Sequence, residues 1–166
     1  MYVPFDQLPD HARLWIYQAE RKISDTEEKV IAEELRVFCG QWVAHGDPLN
    51  TSFRIERSQF LLLAVDEGVA GASGCSIDGS VRMLKSIHDR LGIDFLGHSK
   101  VPFLVDGEVK LIPLHELKDA FATGILGPGT STFHVLAASI QEWQRDWIRS
   151  AEKTWLARYI PKTPVA

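Results

Sequence analysis

Residues 66–80 hold the side chains whose types and spacing could do chemistry. The segment leaves an apolar run at Asp66-Glu67 and carries Gly68, Gly71 and Gly74 at three-residue intervals. It then reads Cys75-Ser76-Ile77-Asp78 into a helical pattern. Glycines bring backbone N–H groups up to a ligand without Cβ obstruction, and a helix start points several such groups and a partial positive charge outward. Asp66, Gly74, Cys75, Ser76 and Asp78 are therefore the candidate ligand-binding residues. At that junction a thiol can be acidified into a nucleophile. The carboxylates Asp66, Glu67 and Asp78, with no basic residue between Asp66 and Arg82, oppose both a thiolate and a bound phosphate. They suit a divalent metal or a cationic group instead. A plainer reading stands beside this one, in which the glycines serve a tight turn and Cys75 is a small buried filler. No cofactor and no catalytic residue follow from either reading.

Other chemistries fail at the level of motif. No H-x-x-x-H or H-E-x-x-H spacing supports a histidine zinc site, and Cys39 and Cys75 lack C-x-x-C spacing. Gly71-Ala72-Ser73-Gly74-Cys75 lacks the second glycine that a G-x-S-x-G nucleophile elbow needs. Cys39 follows the apolar stripe of a helix and reads as core. His88, beside Leu84 and Ile87, reads as a histidine at the edge of the core, and the remaining histidines stand apart from one another.

The elements that must position the loop follow from periodicity. Leu14 to Tyr17 reads as a first strand. Ser24-Asp25-Thr26-Glu27 fits a capping box, followed by Ile31, Leu35, Phe38 and Trp42 on one helical stripe. Gly46 is expected to end that helix, giving a span from about residue 24 to 45. Phe53 and Ile55 alternate with polar residues, and the run from Phe60 to Val65 suits a strand covered on both faces, so the two predict a hairpin. Val81, Leu84, Ile87 and Leu91 mark a second helix, with Ser76 or Asp78 capping its start and Gly92 its end. Asp106-Gly107 between apolar alternations is a type I′ hairpin signal. Leu114, Leu117 and Phe121 mark a short helix ending near Gly124, and residues 132–136 a strand. Ser139 and Glu142 form a second capping box, and the pattern from Ile140 to Ile160 is helical with a break near Ser150.

This order predicts one α+β domain over residues 1–166. Its sheet is expected to be mainly antiparallel, with five or six strands and helices mostly on one face. The first five elements match the opening of a ferredoxin-like, split βαβ arrangement. At 166 residues and 45% hydrophobic content the chain can bury a core without staples. A net charge of −4 argues against nucleic acid as a partner. The longest apolar run is too short for membrane insertion. With no basic and apolar leader at Met1 to Asp6, a cytoplasmic location with two free thiols is expected. Trp143, Trp147 and Trp155 either dock on the sheet or form an exposed patch for a partner or a homo-oligomer. A small molecule is the other expected partner.

Three segments carry a resemblance: residues 4–17, residues 66–78 and Trp155-Leu156-Ala157-Arg158. Together they resemble a small uncharacterised bacterial family whose members are often named "ABC transporter ATPase". The chain lacks the Walker A loop that such a name implies. That loop needs G-x-x-x-x-G-K-[ST], whereas Gly74 is followed by Cys75 and Ser76, and no lysine lies between Gly74 and Lys85. P-loop ATP hydrolysis is not expected, and the resemblance carries over no catalytic residue.

Overall fold

A computed structural model describes residues 1–44, 46–68, 74–97 and 99–162, without the side chains of residues 44, 47 and 74–77. Val69 to Ser73, the middle of the candidate loop, lie outside the described residues. The chain forms two compact units, residues 1–97 with 135–145, and residues 98–134 with 146–166. No helix among the described residues is long and apolar enough to cross a membrane.

The first unit opens with strand β1 (Arg13–Gln18) and helix α1 (Asp25–Gln41). Ser24 caps α1 in a complete capping box. Its hydroxyl accepts from the Glu27 N–H at 3.2 Å, and the Glu27 carboxylate accepts from the Ser24 N–H at 3.1 Å. Ile31, Leu35 and Cys39 form the buried stripe. The helix ends at Gln41, earlier than its apolar pattern suggests, because Trp42 turns to extended backbone. Gly46, with φ at +86°, belongs instead to the turn between two short strands, β2 (Val43–Ala44) and β3 (Asp47–Pro48).

Strands β4 (Asn50–Glu56) and β5 (Phe60–Asp66) form the expected hairpin. Its turn uses the non-glycine residues Arg57 and Ser58 at φ near +53° and +52°. β5 pairs antiparallel with both β1 and β4, so the sheet order is β1-β5-β4 and the outer strands run parallel to each other. A helix joining two parallel strands, with a third inserted between them, is the split βαβ unit. Helix α2 (Gly74–Leu91) follows, closed by Gly92 at φ +68°.

Strand alternation assigns the faces. Leu61, Leu63 and Val65 pack with Ile31, Leu35, Leu84 and Ile87, so α1 and α2 share one face of the sheet. Phe60, Leu62 and Ala64 point the other way and are also buried. The segment 135–145 returns to this unit along the outer edge of β1. There Ala138 accepts from the Leu14 N–H, and Ala12 accepts from the Ile140 N–H. Trp143 of helix α4 (Ile140–Asp146) meets the Phe5 ring edge-on at 5.9 Å.

The second unit contains β6 (Lys100–Val105), β7 (Glu108–Pro113), helix α3 (Leu117–Ala122), β8 (Ser131–Phe133) and β9 (Ile148–Ser150). Its antiparallel sheet has the order β7-β6-β8-β9. Asp106 and Gly107 turn the β6–β7 hairpin at positive φ, as the sequence requires. Phe103, Ile112, Leu117, Phe121 and Leu156 make a separate core.

The protein is thus α+β and antiparallel as expected, but its strands divide among sheets of three, two and four rather than joining one sheet of five or six. β8 stops at Phe133 instead of reaching Leu136. The stretch 140–160 is not helical throughout, since residues 148–150 are drawn into a strand by pairing with β8.

Candidate functional site

The described part of the site forms where β5 ends beside the start of β1. Register sets this juxtaposition, because Arg13 lies opposite Val65. His11 and Asp66 approach to 3.7 Å between Nε2 and Oδ1, and Arg13 Nη1 donates to Glu67 Oε1 at 3.1 Å. The Asp66 carboxylate also accepts from the Gly68 N–H at 3.1 Å, an Asx-type turn that bends the chain out of the strand. Gly68 has φ +49°, in the left-handed region that side chains with a Cβ resist.

An aromatic row backs this mouth. The Arg13 guanidinium lies 4.8 Å from the Trp15 ring centre, Trp15 is 5.9 Å from Trp42, and Trp42 is 5.0 Å from Phe38. A methyl at Gly79 would stand 3.7 Å from the Phe38 ring, so the second turn of α2 lies against α1 there. Ser80, 2% exposed, has its Oγ 3.4 Å from the Tyr17 hydroxyl, which ties the same turn to β1.

Each candidate residue then has a place. Asp66 is half-buried at the end of β5 and joins His11. Gly74 is the first residue of α2, and Cys75 and Ser76 follow in its first turn, with side chains outside the described residues. Asp78 is exposed in the second turn and joins neither pair. The expectation that Ser76 or Asp78 caps α2 is corrected, because the helix begins at Gly74 and both lie inside it. The sequence also shows no basic residue near the loop before Arg82, whereas the fold supplies His11 and Arg13 from more than fifty residues upstream. No local signal marks these two; only the β1–β5 register reveals them.

Among the described residues no group of three or more His, Cys, Asp or Glu side chains is placed to hold a metal ion. Cys39 is a free buried thiol, pushed up to about 11 by burial. A groove of about 410 Å³ lies elsewhere in this unit, between α1 and α2. Val37, Phe38 and Met83 give it apolar walls, and the paired Glu34 and Arg90 lie along it.

The three tryptophans late in the chain differ in environment. Trp143 is buried, Trp147 packs on Phe133 at 5.0 Å, and Trp155 is 49% exposed, with Arg158 over its ring and Tyr159 against its edge.

Fold and site define an α+β protein whose first unit carries a charged strand end leading through a glycine-rich segment into a helix. No family model, curated protein or solved structure matches the chain.

Proposed function

We propose that the first unit binds a small molecule or anion at residues 66–80, with Asp66, Gly74, Cys75, Ser76 and Asp78 contributing to the site. One observation carries this reading: His11, Arg13, Asp66 and Glu67 converge where β5 gives way to the segment that opens α2. Backbone donors at the start of an eighteen-residue helix favour an acceptor group. Asp66 and Asp78 favour a donor or a positive charge, so a ligand carrying both kinds of group fits best. The protein acts in the cytoplasm in this reading, and not as a P-loop ATPase. The resemblance to the small bacterial family named "ABC transporter ATPase" supports kinship without that activity.

A thermal-shift screen against metabolites, divalent metals and Mg-ATP tests the proposal, because a ligand selective for the native state raises apparent stability by about 2.7 kcal/mol at a hundredfold excess over Kd. The expected result is a hit weakened by Asp66→Asn and by Asp78→Asn. A screen with no hit, or hits indifferent to both substitutions, would overturn it.

The exposure of Trp155 favours a second reading, a non-enzymatic interaction protein that uses this aromatic surface. Trp143 and Trp147 contribute little to such a surface, since both pack against neighbours. Capture of a partner abolished by Trp155→Ala, without any small-molecule hit, would decide for it.

A further inference from the structure

Granting that the first unit binds a small molecule at residues 66–80, we propose that the ligand is a free α-amino acid, held as a zwitterion on the Arg13–Glu67 pair. Arg13 and Glu67 meet through one atom each, Nη1 and Oε1 at 3.1 Å. Among the described residues, Nε and Nη2 of Arg13 and Oε2 of Glu67 meet no polar partner. The pair thus offers a cationic donor edge and an anionic acceptor, fixed side by side. An α-amino acid presents the complementary order, with a carboxylate and an ammonium on one carbon. Its carboxylate accepts from the guanidinium and its ammonium donates to Oε2, so four charges alternate in sign. A simple anion leaves Glu67 opposed to it, and a simple cation leaves Arg13 opposed.

The surroundings orient the pair for this role. The Arg13 guanidinium lies 4.8 Å from the Trp15 ring centre, which fixes the plane of its donor fork. Val65, opposite Arg13, belongs to the core beneath α1 and α2, so the Arg13 side chain leaves the sheet on the helix-covered face. Phe38 lies against Gly79 and Glu34 pairs with Arg90, so the two helices run antiparallel. Trp42, one turn beyond Phe38, therefore stands beside the first turn of α2. That turn opens an eighteen-residue helix, and its backbone N–H groups favour the carboxylate end of the ligand. Trp42 adds an independent sign. It is 4% exposed, and its buried Nε1 meets no acceptor among the described residues. A buried indole N–H usually has a partner. This indole stands 5.9 Å from the Trp15 ring that carries Arg13, so an acceptor entering beside Arg13 supplies one.

Isothermal titration of the full chain tests the proposal, with the common L-amino acids, inorganic phosphate and magnesium chloride as probes. At least one amino acid should bind with Kd below about 1 mM. Its amide, which lacks the carboxylate, and its N-acetyl form, which lacks the ammonium, should each bind about tenfold more weakly or worse. Arg13→Gln and Glu67→Gln should do the same and leave the melting temperature within about 3 °C, since both side chains are partly exposed. The Trp42 indole N–H resonance, assigned by its loss in Trp42→Phe, should move as it gains an acceptor. An amino acid that bound without moving this resonance, or indifferently to both substitutions, would overturn the proposal. Phosphate or magnesium binding weakened by Asp66→Asn, with no amino acid bound, would overturn it and leave the small-molecule reading intact. Silence from every probe would overturn it too, while the metabolite screen decides the broader reading.

Discussion

Gln59 grips Ala19 twice: its side-chain Nε2 donates to the Ala19 carbonyl at 2.6 Å, and its own carbonyl accepts from the Ala19 N–H at 2.8 Å. Gln59 is 3% exposed, so the end of β1 is fastened to the β4–β5 turn by a buried amide. Gln59→Leu leaves the Ala19 carbonyl without its side-chain donor and should cost about 2 kcal/mol. Urea unfolding of both proteins measures this. A change below about 0.5 kcal/mol would show the contact to be dispensable.

Glu27 contributes to the acid limb of stability. The Arg21 guanidinium hydrogen-bonded to it, followed by the Ser24 N–H, holds its carboxyl down at about 2, against an ordinary 4.5. A carboxylate depressed by folding stabilises the native state above its unfolded pKa, and this contribution is lost as pH falls through the folded value. Stability should therefore decline between about pH 4.5 and pH 2. Glu27→Gln should flatten this part of the profile, measured by thermal unfolding across that range. An unchanged slope would mean that other carboxylates set it.

Cys39 contributes to an alkaline limb of opposite sign. Burial raises its thiol from 9.0 to about 11, so its contribution is complete below pH 9 and is lost as pH rises toward 11. Cys39→Ala should reduce that loss. Native alkylation should label Cys75 slowly, faster at higher pH, and spare Cys39 until unfolding. Mass spectrometry of the labelled peptides distinguishes the two. Rapid labelling of Cys39 in the native state would contradict its burial.

Trp143 ties the returning segment 135–145 to the first unit. It packs edge-on to Phe5, and the Arg54 guanidinium sits 5.5 Å from its ring centre. Trp143→Ala should cost about 3 kcal/mol through the cavity left behind. Arg54→Ala should cost nearer 1 kcal/mol, since the cation sits at a partly exposed site. Chemical denaturation of the two variants orders them, and a larger effect at Arg54 would reverse the assignment.

Where an element's cause is local, the sequence alone determined it. The Ser24–Glu27 capping box needs four residues, and the turn at Asp106 and Gly107 needs only a backbone tolerant of positive φ. The apolar run at β5 required cover on both faces, and it has that cover. Only tertiary structure decided what depended on partners distant along the chain. Trp42 left α1, and residues 148–150 left the helical pattern, because strand pairing and aromatic packing outweigh a helical period. The division of the strands into separate sheets arose the same way, since a strand's own sequence specifies its faces but not its neighbour. The site was divided on the same line. Asp66 and a helix following the glycines were legible from spacing, though not that helix's start at Gly74, ahead of the expected caps, whereas His11 and Arg13 entered only through the register that sets Arg13 opposite Val65, fifty-two positions away.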